Sequence, residues 1–115
     1  MEERGPEGLL NLAYGNHPKS AKLKNEGARI LRALREGAKT LEELAQTLSI
    51  DLTQPAARKH FYLVMRPLRE KGMVGVSRVG GKRLYHVSLD GFNIFWKSIR
   101  REAEYWLKEK VEEEG

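Results

Sequence analysis

The chain has 115 residues, 32% of them charged, with a formal net charge of +5 and a pI near 9.6; this is the size of one domain with a modest core, and the balance suits a polyanionic partner better than an acidic one. Cysteine is absent, which excludes structural disulfides, thiolate zinc sites and cysteine nucleophiles. No apolar run approaches the ~20 residues that cross a bilayer, and a start carrying Glu2, Glu3 and Glu7 lacks the basic, apolar character of a signal peptide, so no membrane association and a cytoplasmic location are the expectation.

Residues 1–19 contain Gly5, Pro6, Gly8, Gly15 and Pro18, too many interruptions for a long helix, and read as an N-terminal arm. Its apolar patch of Leu9, Leu10, Leu12 and Tyr14 needs a cover, from this chain's core or from a partner subunit. From Ser20 the pattern turns helical, with Leu23, Gly27, Ile30, Leu31 and Leu34 at spacings of three and four until Gly37 supplies a stop. Ala38 and Lys39 suit a brief strand. Thr40 and Glu43 then form a capping-box pair opening LEELAQTL, a second helix with Leu41, Leu44, Ala45 and Leu48 inward.

The turn SIDLTQ leads to a third helix, capped by Thr53 or Gln54 and tolerating Pro55 in its first turn, that runs toward Gly72. Ala57, Phe61, Val64, Met65 and Leu68 line one side of it, while Arg58, Tyr62, Arg66 and Arg69 line the opposite one. Pro67 removes a hydrogen bond to Leu63 and is expected to bend or divide this helix. Beyond Gly72 the period becomes two, MVGVSRV and KRLYHVS about Gly80-Gly81, which is a hairpin with a two-residue turn. Pairing Val79 with Lys82 sets Val74 opposite Val87, Val76 opposite Tyr85 and Arg78 opposite Arg83. Ser88 caps a last long helix through DGFNIFWKSIRREAEYWLKEKVEEE, with Phe92, Phe95, Trp96, Ile99, Ala103, Trp106 and Val111 on one stripe. That stripe exceeds what one small domain buries, and it is expected to be a dimer seam.

The order helix, short strand, helix, turn, helix, two-stranded wing, long helix resembles the winged helix-turn-helix. LEELAQTL resembles the first helix of that motif, LREKGMV (Leu68 to Val74) the junction between recognition helix and wing, and RLYHVSLDGF the closing strand and helix restart of prokaryotic regulators of the arsenical-repressor-like (ArsR-like) and multiple-antibiotic-resistance-regulator-like (MarR-like) families, especially their small archaeal relatives. The resemblance covers roughly residues 20–95. It implies a mainly α fold with a small β-hairpin, divided as an arm over 1–19, a winged-helix DNA-binding domain over 20–88 and a C-terminal dimerisation helix over 89–115. It further implies a third helix in the major groove, a wing tip on the backbone or minor groove, and a two-fold dimer.

Charge is uneven along the chain. From Thr53 to Arg83 stand eight cations, Arg58, Lys59, Arg66, Arg69, Lys71, Arg78, Lys82 and Arg83, against Glu70 alone, whereas residues 84–115 hold five cations and seven acids. Lys and Arg neutralise phosphates and release counterions, and a guanidinium in the major groove engages guanine bidentately. Gln54, Arg58, Lys59 and Tyr62 are the candidates for base edges or phosphates; Arg66, Arg69, Arg78, Lys82 and Arg83 are candidates for the backbone. Lys19, Lys22, Lys24 and Arg29 form a second basic stretch that suits flanking phosphates.

His17, His60 and His86 lack metal-site spacing, and no GxSxG, P-loop, HExxH or GxGxxG is present, so neither cofactor, metal nor enzymatic activity is expected. The expected partners are double-stranded DNA and a second copy of the chain, in a sequence-specific transcriptional regulator; the residues name no effector. Two alternatives stand beside this: an architectural chromatin protein without sequence preference, and a winged-helix module for protein contacts.

Overall fold

In the computed structural model, which describes residues 5–109, the segment Glu7–Tyr14 forms helix α1 and Pro18–Ser20 a single 3-10 turn. Leu10 of α1 is buried in this chain's own core and Tyr14 packs against it, while Leu9 and Leu12 stay exposed. The apolar patch of the N-terminal segment is therefore covered in part from within the chain. Helix α2 (Ala21–Glu36) buries Gly27, Ala28, Ile30, Leu31 and Leu34, the face set out by spacings of three and four, and stops at Gly37.

Helix α3 (Leu41–Thr47) opens on a complete capping box: Glu43 N–H donates to Thr40 Oγ1 at 3.2 Å, and Thr40 N–H donates to Glu43 Oε1 at 3.0 Å. It ends in a Schellman motif. Ser49 N–H reaches Gln46 O at 3.0 Å and Ile50 N–H reaches Ala45 O at 2.9 Å, with Ser49 at φ 56°. Helix α4 (Pro55–Glu70) ends the same way, Gly72 N–H on Arg69 O at 3.0 Å and Met73 N–H on Leu68 O at 2.9 Å, with Gly72 at φ 72°. Pro67 lies inside α4 without dividing it. The carbonyl of Leu63 that loses its donor belongs to an exposed residue.

Strands β1 (Val74–Val79) and β2 (Lys82–Val87) pair antiparallel in the expected register, including Val76 with Tyr85 and Arg78 with Arg83. Gly80 and Gly81 take φ of 58° and 81°, the positive values that a two-residue turn with the right twist requires. The brief strand expected at Ala38 and Lys39 is reduced to one bridge: Lys39 exchanges both backbone hydrogen bonds with Tyr85, at 3.0 and 2.8 Å, and the sheet has two strands. Thr40 begins the cap of α3 one residue later, leaving no length for a third strand.

The core lies between α2, α3 and α4 and closes on the hairpin through Met73, Val74 and Tyr85, with Phe61, Ile30, Leu44, Leu68 and Val64 at its centre. Helix α5 (Leu89–Trp106) starts at Ser88, whose hydroxyl accepts from Gly91 N–H at 2.9 Å. At its root the backbones of Gly72 and Gly91 come so close that a Cβ on Gly72 would stand 2.2 Å from Gly91 O. Phe92 packs on the core, yet no residue of α5 is buried. The helix projects from the body, and extents of 66 × 39 × 38 Å reflect it. It ends at Trp106, short of the expected run. Val111 lies outside the described residues.

Candidate nucleic-acid interface

The row of side chains at spacings of four, four and three along α4 places Arg58, Tyr62, Arg66 and Arg69 together. It borders the core rather than standing opposite it. Tyr62, Arg66 and Arg69 line a cleft of about 340 Å³ together with the buried Met65 and Tyr85, the half-buried Leu41 and the exposed Glu70. The Arg58 guanidinium lies 5.8 Å from the Tyr62 ring centroid, a cation–π distance, so the first two members of the row support each other.

A second cleft, of about 570 Å³, lies between the hairpin tip and the start of α3 and is lined by Arg78, Gly81, Lys82, Arg83, Thr40, Leu41 and Glu42. Leu41 belongs to both clefts. The basic row of α4 and the basic end of the hairpin therefore meet across one side chain, on one surface. Arg78 and Arg83 are paired directly across the strands, and neither takes part in an ion pair among the described residues. Like charges so placed repel until an anion lies between or beside them.

Gln54 is the residue preceding α4, but its side chain makes no capping hydrogen bond; it is exposed, as is Lys59, and neither lines a cleft. Within the second basic stretch, Lys24 Nζ donates to Asn11 Oδ1 at 3.1 Å and the Arg29 guanidinium donates to the Thr47 carbonyl, so two of its four cations are engaged inside the chain. Lys71 stands over the Phe95 ring, 5.1 Å from its centroid, at the root of α5.

Sequence reasoning missed three participants. Leu41 and Tyr85 shape the clefts, Leu41 having been read only as an inward residue and Tyr85 only as the cross-strand partner of Val76. Glu42 brings an acid to the hairpin tip, and Glu43 lies near enough to feel Lys39 and Lys82. The excess of eight cations over one acid, counted along the chain, thus overstates the local field. The Glu43 carboxyl is held below the usual range first by the Thr40 backbone N–H and hydroxyl, and secondarily by those two lysines.

The aromatic residues expected at a dimer seam divide by position. Phe92 and Phe95 are half-buried at the root, with Phe92 stacked on Trp96 at 6.3 Å; Trp96, Ile99 and Trp106 are exposed, and Ala103 is half-buried between the last two. The three histidines stay apart. His17 accepts from Lys19 N–H, His60 Nε2 donates to Glu26 Oε1 at 2.8 Å, and His86 lies by the Val87 carbonyl. Among the described residues no group of three or more His, Asp or Glu is placed to hold a metal ion, and no helix is long and apolar enough to cross a membrane.

Three helices, a turn and a two-stranded hairpin around one core are consistent with a winged helix. No protein-family model matches the sequence, and neither does any curated protein. One similar solved structure is the homodimeric winged helix-turn-helix DNA-binding domain (fragment 1–100) of a possible ArsR-family transcriptional regulator from Mycobacterium bovis. It is 19% identical with a TM-score of 0.42, over 85% of this chain and 98% of that one. The fold assignment rests on the element order and hairpin register of this chain, not on that distant likeness.

Proposed function

We propose that this chain is a sequence-specific double-stranded DNA-binding regulator of transcription that lays α4 in the major groove, holds the backbone or minor groove with the hairpin tip, and acts as a homodimer joined through α5. The observation that carries the reading is the single basic surface on which the two clefts share Leu41, with Tyr62, Arg66 and Arg69 on one side and Arg78, Lys82 and Arg83 on the other. A duplex presents phosphates on both sides of a groove, and this surface offers cations on both sides of an apolar ridge.

Roles follow from position on α4. Gln54 immediately precedes it and Arg58 and Lys59 stand in its first turns, all exposed and uncommitted to the core, where base edges come within reach; Arg66 and Arg69 face the cleft toward the hairpin and suit phosphates. The opposed Arg78 and Arg83 gain most from an anion, because binding removes their mutual repulsion.

Selection of bound duplexes from a random pool, followed by anisotropy titration of the enriched sequence over a range of salt, tests the proposal. A palindromic enriched site with steeply salt-dependent affinity is the expected result. Uniform weak binding to every sequence overturns sequence-specific regulation, and no binding at low salt overturns DNA binding altogether.

A further inference from the structure

Helix α5 is apolar along one side and touches the body only near its root, and the sizes along that side are uneven. Before Ile99 stand Phe92, Phe95 and Trp96; after it Ala103 leaves a gap before Trp106. A shallow cleft of about 390 Å³ opens at that gap, walled by Ile99, Glu102, Trp106 and Leu107. At the root is a second recess, an apolar groove of about 370 Å³ lined by Leu9, Leu31, Met73, Val87, Leu89 and Phe92 among others. The tip is convex, with Trp106 and Leu107 exposed by 72% and 82%.

We infer that a second copy of α5 lies antiparallel along this side, with Ile99 on the two-fold axis. This rests on the dimer reading above and adds direction and register to it. About such an axis, residues at equal distances from position 99 on opposite sides face each other. Trp106 then meets the root groove at the partner's Phe92, Phe95 lies level with the gap at the partner's Ala103, and Trp96, level with the partner's Glu102, borders that gap. Bulk faces gap at each step. A parallel pairing would set Trp106 against Trp106 and Ala103 against Ala103, leaving gaps and collisions that close packing disfavours.

The available area is that of a stable pair. Leu89, Trp96, Ile99, Trp106 and Leu107 leave open about 600 Å² of apolar surface per copy, on the scale of 150–250 Å² for a whole aromatic side chain. Leu9 and Val87 in the groove bring this toward the roughly 800 Å² per partner of a standard interface.

Because the chain has no cysteine, one introduced thiol reads the register directly. Ile99→Cys lies outside the core, and its two thiols meet at the axis within reach of a disulfide or a short bis-maleimide. Leu107→Cys would place its thiols roughly 24 Å apart at 1.5 Å per residue in the antiparallel pair, but side by side in a parallel one. The expected result is a covalent dimer for most of the I99C protein and none for L107C, with light scattering showing dimer for both before cross-linking. Cross-linking of L107C overturns the antiparallel arrangement. A dimer in which I99C fails to cross-link overturns the register while the dimer reading stands; a monomer at micromolar concentration overturns both.

Discussion

The contact that ties the N-terminal segment to α4 is made by one side chain over one glycine. Tyr14 of α1 donates its hydroxyl to the carbonyl of Val64 in α4, fifty residues away, while its ring lies on Gly27 of α2. Burial pushes the Tyr14 hydroxyl well above the ordinary tyrosine range, and the charge of Glu26 adds to the shift, so it remains a donor at any physiological pH. Tyr14→Phe keeps the ring and loses one hydrogen bond, an expected cost of about 1 kcal/mol. Gly27→Ala is a sharper test: its Cβ would come within 2.5 Å of the ring, so Tyr14 must leave its seat, and the helix-propensity gain of up to ~1 kcal/mol is outweighed by the lost packing and hydrogen bond. Urea denaturation of the two single variants and the double variant measures this. Nearly non-additive losses are expected, since either change disables the same interaction.

The helix ends make their own predictions, because α3 and α4 close with the same motif on different residues. Gly72 takes its positive φ freely; Ser49 takes it at a cost. Ser49→Gly should therefore stabilise the protein, by up to ~1 kcal/mol after the greater freedom of glycine in the unfolded chain is subtracted. Gly72→Ala should do the reverse by about 3 kcal/mol or more, since it meets both a strained φ and the Gly91 carbonyl. Thermal or urea midpoints give both signs. At the other end of α3 the lowered Glu43 carboxyl contributes stability that is fully present above its unfolded value of about 4.3 and is lost as pH falls through the folded value. Thr40→Ala removes the hydroxyl but keeps the backbone N–H that is the larger hold on the carboxyl, costs about 1 kcal/mol at pH 7 through the lost cap, and should narrow its gap to wild type only slightly as the pH is lowered below 4.

These elements also show what was legible without coordinates. The cap at Thr40, the stop at Gly37, the register about Gly80-Gly81 and the start at Ser88 each depend on residues within a few positions of one another, and local chemistry suffices to place them. The seat of Tyr14 on Gly27, the approach of Gly72 to Gly91 and the position of Glu42 at the hairpin tip depend on how distant elements pack. Periodicity carries no signal for them. Lys39 lies between these cases: a brief strand is expected there, but a single bridge to Tyr85 is all that its position between Gly37 and the Thr40 cap leaves room for.

At the scale of the whole molecule the proposed reading assigns the charged surface and the projecting helix separate, measurable contributions to DNA binding. Arg58 is exposed near the start of α4 and braced by Tyr62, whereas Arg83 stands opposite Arg78 at the hairpin tip. On the proposed reading Arg58→Ala removes a base contact, costing ~1–3 kcal/mol on the preferred site and little elsewhere. Arg83→Ala removes a phosphate contact and weakens all sequences alike. Its signature is in the salt dependence: log–log slopes fall by about 0.9 for each phosphate that is no longer neutralised, hence by about 1.8 for a dimer that gives up one on each half and about 0.9 for a monomer. Part of that loss is offset because Arg78 no longer faces a like charge, so the affinity at low salt falls less than the slope alone implies. Anisotropy titrations of both variants on specific and scrambled duplexes separate the two roles. Equal effects of Arg58→Ala and Arg83→Ala on every duplex would remove the division between helix and hairpin, and a slope change near 0.9 would argue that the DNA-bound form is a single chain.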